Sequence, residues 1–111
     1  MATVLSAFAL VVLGGVVRVT GSGLGCPDWP LCHGNLLPPL ETEAIIEYSH
    51  RLVASALVGP LVLATCGLAW IAFRWEPWLT IPAAAAVFLL VAQAILGGVT
   101  VVNELPANVV T

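Results

Sequence analysis

An all-α protein built to sit in a lipid bilayer is what this chain predicts, and three features of its sequence lead there. Hydrophobic residues make up 60% of the 111 and charged residues 8%, whereas charge in a soluble domain is nearer a quarter. The apolar residues come in three uncharged runs, 1–17, 52–73 and 77–103. A helix needs roughly 20 apolar residues to cross a hydrocarbon core of about 30 Å. The charged and turn-forming residues fall mainly between those runs. The expected organisation is one transmembrane domain over 1–111, with helices at about 2–19, 43–73 and 79–102 and a loop at 20–42.

The first span is short, and reaches the required length only if Arg18 extends its head group towards water. A signal peptide would carry a basic leading region and a small-residue cleavage site. Here Gly14–Gly15 run into Val16–Val17–Arg18, so the segment reads as a retained span. The same two glycines let another helix approach closely. The run 20–25 then breaks the helix. Its GSGLG neither follows a strand nor opens a helix, so a dinucleotide-binding reading fails on context.

Cys26, Pro27, Asp28, Trp29, Pro30, Leu31, Cys32, His33 and Gly34 form a loop held compact by its prolines, and Trp29 suits a membrane–water interface. Cys26 and Cys32 are placed to close a small disulfide ring or act as a redox pair if the loop faces an oxidising compartment. A zinc site needs four ligands, and Cys26, Cys32 and His33 supply three. Two reduced bystanders are the remaining reading. The spacing is not the C-x-x-C-H of covalent haem attachment. Cys66, in the middle of a span, reads as a small buried hydrophobe.

Leu36–Leu40 is expected along the membrane surface, and Thr42 as the N-cap of the second span with Glu43 in its first turn. At 1.5 Å per residue that span is about 45 Å long, so it should tilt or protrude. Gly59–Pro60 should kink it. The link 74–78 carries two interfacial tryptophans. In the third span Gln93 and Gly97–Gly98 suggest a face turned to another helix, and a turn is expected at Glu104–Leu105–Pro106.

A net charge of −3, three basic residues and no lysine exclude a nucleic-acid surface or a polybasic lipid patch. Basic residues do not fix the orientation: Arg74 marks one side, Arg18 and Arg51 the borders of the other. The loop at 20–42 is placed outside because a disulfide there needs an oxidising face.

One cluster carries chemistry. Glu47, His50 and Arg51 stand at i, i+3 and i+4, so they leave one side of the second span within a turn. Ionisable groups at a span's end default to a functional site facing the bundle interior. A histidine here can ligate haem iron, and a carboxylate one turn away can handle protons. The competing reading is an interfacial anchor that only sets helix depth.

Three motifs, LGGVVRVTGSGLGCPDWPLCHG, IEYSHRLVA and QAILGGVTVVNELP, resemble in order and spacing the haem A synthase family of membrane enzymes, over nearly the whole chain. The resemblance implies a four-helix haem-binding bundle of which the three transmembrane helices here form most. Such bundles are paired in eight-helix members. It implies oxidation of a methyl of haem O to the formyl group of haem A for terminal oxidases, with haem B as the enzyme's own cofactor. Partners implied are haem O, membrane lipid, a haem O synthase, an electron donor and further copies of the same chain. Position by position, His50 matches a haem-iron ligand and Glu47 the catalytic acid, there to take up protons or steady positive charge. Cys26 and Cys32 match an outer-loop pair that is a disulfide in many members. Arg18 lies in the first motif without an assignable role, and His33 reads as a loop residue rather than a ligand.

One departure stands out. In the family a fourth helix brings the partner histidine, whereas the histidines here are His33 and His50. The expectation is the N-terminal half of a longer enzyme, inactive by itself. Two other classes compete: a membrane thiol–quinone oxidoreductase using Cys26 and Cys32, although its usual close C-x-x-C pair is lacking, and a non-catalytic haem-carrying assembly subunit.

Overall fold

A computed structural model describes residues 1–104. The expected turn residues Leu105 and Pro106, and the segment to Thr111, lie outside them. The described chain is helical: α1 (Ala2–Val19), α2 (Thr42–Val53), a π-helical turn (Ala54–Val58), α3 (Gly59–Ala72) and α4 (Pro77–Val102). α2, the π turn and α3 run on as one rod, Thr42–Ala72. With α1 and α4 it gives three helices long and apolar enough to cross a membrane. The fold is that of a multi-pass, all-α membrane protein, 48 Å in its longest dimension.

The π turn has a local cause. Pro60 has no N–H to return to the carbonyl four residues back. The helix widens just upstream, and the Gly59 N–H reaches Ala54 O, one residue beyond the usual acceptor. The irregularity expected at Gly59–Pro60 is therefore a widened turn. At the rod's start Glu41 is the N-cap, in extended conformation and with no side-chain capping bond. The expected Thr42 is the first helical residue instead.

α4 packs chiefly along α3, while α1 packs against α2, the π turn and α3. Thr3 and Thr65 share a hydroxyl hydrogen bond of 2.8 Å between α1 and α3, and Trp70 Nε1 donates to Thr80 O at 3.1 Å across the α3–α4 corner. Few span residues are buried, and none in α1. Side chains such as Phe8, Ile71 and Phe88 point outwards, as suits a surface solvated by lipid chains. Free Cys66 is buried in α3, as expected of a small hydrophobe.

The tightest packing lies instead where the loop meets α2. Cys26, Cys32, Ala44 and Ser22 are all fully buried there, with Tyr48 packed against them. Gly25 makes this possible. A Cβ on it would lie 2.6 Å from the Glu43 carbonyl carbon, so only glycine lets the loop backbone touch the start of α2.

Candidate functional site

Cys26 and Cys32 are joined by a disulfide, the geometry of the disulfide-or-redox-pair reading and not of a zinc site or a reduced pair. Among the described residues no group of three His, Cys, Asp or Glu side chains could hold a metal ion. The ring is closed further by Asp28, whose carboxylate accepts the backbone N–H groups of His33 at 2.6 Å and Gly34 at 2.7 Å. The Gly34 N–H does most to hold the Asp28 carboxyl below its ordinary pKa. Partial desolvation opposes it, and the His33 N–H adds to the lowering. His33 itself turns back into the loop with a left-handed backbone and places Nε2 3.3 Å from Gly25 O.

Arg51 bolts this ring to α2. Its guanidinium donates to Asp28 O at 2.6 Å, Leu31 O at 2.9 Å and Cys26 O at 3.3 Å, and also pairs with Glu47. A planar fork of donors suits several backbone carbonyls at once, which a lysine ammonium could not span. Glu47 is 4% exposed. One of its oxygens faces Arg51 and the other, Oε2, accepts the Cys26 N–H at 2.7 Å. The buried charge is thus paired and hydrogen-bonded, the condition under which burial is tolerable. Tyr48 adds a further tie by donating its hydroxyl to Leu36 O.

His50, one turn along, faces a different neighbour. Its ring is half-buried against α1. A Cβ built on Gly14 would lie 3.2 Å from His50 Nε2 and 3.6 Å from Cδ2. Among the described residues no hydrogen bond engages this imidazole. Glu47 and His50 therefore leave α2 on the same side but diverge, the acid outwards under the disulfide ring and the imidazole onto α1. Sequence spacing brings the three residues together, but it does not disclose that divergence.

Trp29 extends from the ring to α4. A Cβ on Gly98 would lie 3.4 Å from its indole Cδ2. The small residue at 98 thus receives a loop tryptophan rather than the helix expected there. Gly97 faces nothing within 4 Å, and Gln93 lines an apolar cleft of about 290 Å³ with residues of α1 and α3 such as Val11 and Val62.

The sequence matches the family model of the cytochrome oxidase assembly proteins COX15-CtaA through residues 1–45 and 40–111. The chain belongs to the COX15-CtaA family. It is 42% identical over 95 residues to a heme A synthase of Exiguobacterium sibiricum, covering 84% of this chain and 32% of that protein. With a heme A synthase of Bacillus licheniformis it shares 43% over 98 residues, covering 86% and 32%. A heme A synthase of Bacillus mycoides is 41% identical over 112 residues, covering 96% and 36%. The chain spans about a third of the length of these COX15-CtaA relatives. No solved structure matches it.

The residues present suit a haem. A ligating imidazole must offer a nitrogen free of other partners in an apolar setting, and His50 presents Nε2 beside a helix that carries only hydrogen at position 14. The ring is half-buried against α1, which limits the rotamers that ligation would have to select among.

Proposed function

We propose that this COX15-CtaA chain works in the conversion of haem O to haem A, as the N-terminal haem-handling domain of a haem A synthase. The observation that carries the reading is the pairing of a His50 imidazole set against α1, with no hydrogen-bond partner among the described residues, with a buried, charge-paired carboxylate at Glu47 one turn away. The names of the curated relatives give the product, heme A, and the sequence resemblance implies haem O as the substrate converted to it.

His50 would hold haem through its ring nitrogen, with the second ligand contributed by a histidine outside this sequence. Haem B is the resident cofactor in this reading, and supplies redox-active iron when bound. The remaining work falls to the chain's own groups. The spans keep water from the porphyrin face, and α1 sets the reach of the imidazole. Turning a methyl into a formyl group, R–CH3 + H2O → R–CHO + 4 H+ + 4 e−, takes its oxygen from water and passes its electrons to an acceptor among the partners, so protons are released beside the porphyrin. Glu47, through the oxygen facing Arg51, is the local group that can take a proton or balance positive charge. The disulfide ring covers the acid and keeps bulk water off it. In this reading the ring lies on the outer face, and partners include membrane lipid, an electron-transfer partner, a haem O synthase and further copies of the chain.

The thiol–quinone alternative meets a physical obstacle. Exchange needs a thiolate to reach a disulfide sulfur, and both cysteines are fully buried beneath Arg51-bonded backbone. The deciding experiment is His50→Ala in the protein at its natural length, purified from membranes. Altered haem content or spectrum, with loss of haem A formation, is expected; an unchanged spectrum refutes ligation by His50. Wild-type protein that binds haem O and never yields haem A would instead make it a carrier.

A further inference from the structure

We infer that Gly14 is a positioning residue for His50: its missing side chain is a notch in α1 that accepts the Nε2–Cδ2 edge of the imidazole and so sets the rotamer in which the ring meets haem iron. The inference rests on His50 being the ligand. Three observations carry it. A Cβ at position 14 would stand 3.2 Å from Nε2, the nearest heavy atom to it, closer than carbon and nitrogen normally pack. Its neighbour Gly15, equally small and in the same helix, would present a Cβ to nothing within 4 Å. The imidazole belongs to the last turn of α2, whose Glu47 and Arg51 are fixed by the loop on either side of it in sequence. The ring therefore cannot move away by shifting its helix; it must rotate.

The two glycines look alike in the sequence and differ only in what they face. A methyl at 14 asks the ring to yield by a few tenths of an ångström, and an isopropyl group asks for a new rotamer that turns Nε2 away. At 15 the same additions meet open space. A general role for small residues in helix packing would make the two positions equivalent, whereas the positioning role makes them unequal.

The test uses the protein at its natural length, purified from membranes, as wild type and as Gly14→Ala, Gly14→Val, Gly15→Val and His50→Ala. The readouts are the position of the haem absorption bands and the affinity for added haem B. Disulfide formation in the loop, followed by thiol labelling, reports folding at the same end of the molecule. Gly14→Val should lower haem affinity at least tenfold with shifted bands, Gly14→Ala should shift the bands with a smaller loss, and Gly15→Val should match wild type. All three should retain the disulfide. Equal behaviour of Gly14→Val and Gly15→Val, or loss of haem only together with loss of the disulfide, overturns the assignment. If His50→Ala leaves bands and affinity unchanged, the ligand reading itself has failed, a result distinguishable from failure of the notch alone.

Discussion

Cys26 and Glu47 are joined by a single hydrogen bond, the amide N–H of the cysteine donating to Oε2 of the acid at 2.7 Å. The bond crosses from the disulfide ring to the middle of α2, and makes the proposed chemical acid an anchor for the loop as well. Both duties depend on the same carboxylate, so variants at 47 must be chosen to part them.

Glu47→Gln parts them. The amide oxygen still accepts the Cys26 N–H, while the charge opposite Arg51 is gone. In the protein at its natural length the disulfide and haem content should persist and haem A yield should fall by about 100-fold or more, the scale of a lost acid–base group. Glu47→Ala should lose the loop contact too, leaving Arg51 without its counter-charge. Haem A extracted from membranes measures the first effect, and a near-normal yield from the glutamine variant would remove Glu47 from the chemistry.

Arg51→Lys tests the bolt. The lysine keeps the charge but cannot bridge the carbonyls of Cys26, Asp28 and Leu31. Leaving partly buried acceptors unmet costs about 1–3 kcal/mol each at full burial, so a total loss of about 3 kcal/mol is expected. Thermal unfolding in detergent should show it, together with protease cleavage within 28–40. Unchanged melting and an uncleaved loop would mean that water replaces the guanidinium at no cost.

The spans were legible because hydropathy alone dictates them: long uncharged runs have no soluble alternative. The cluster at Glu47, His50 and Arg51 was legible for a similar reason, since helix geometry fixes which residues share a side. What each side chain touches was not. Arg51 donates mainly to backbone carbonyls, which look the same at every residue, so no pattern in the sequence points to Asp28 or Leu31 as its partners. The difference between Gly14 and Gly15 depends on how α1 is rotated against α2, a tertiary fact. Thr42 carried the better capping chemistry, yet the chain enters the helix one residue earlier, with Glu41 as an N-cap that makes no side-chain bond. Gly98 advertised a helix contact and received Trp29, because a small residue records close approach without recording by what.

Asp28 gives the loop an acid limit. Its folded pKa is depressed, so its contribution is fully present above the unfolded value, near 3.8, and is lost as pH falls through the lower folded value. The His33 and Gly34 amides should therefore remain protected from exchange between about pH 5 and 7, and lose protection only on stronger acidification. Asp28→Asn should abolish that acid dependence and weaken both amides at neutral pH. Exchange measured by NMR in micelles decides it, and a transition at pH 6 would point to another group.

The double replacement Cys26→Ser/Cys32→Ser separates the haem reading from the thiol one. Releasing so short a ring returns about 2 kcal/mol of chain entropy to the unfolded state, a loss the loop can survive because Asp28 and the paired Arg51 and Glu47 also hold it. Haem should still bind at His50, with bands like those of wild type, and some haem A should still form. A thiol–quinone oxidoreductase would lose all turnover on the same change, since the cysteines would be its electron carriers. Complete loss of redox activity in a variant that stays folded and haem-loaded would shift the chemistry from the acid and imidazole to the ring that covers them.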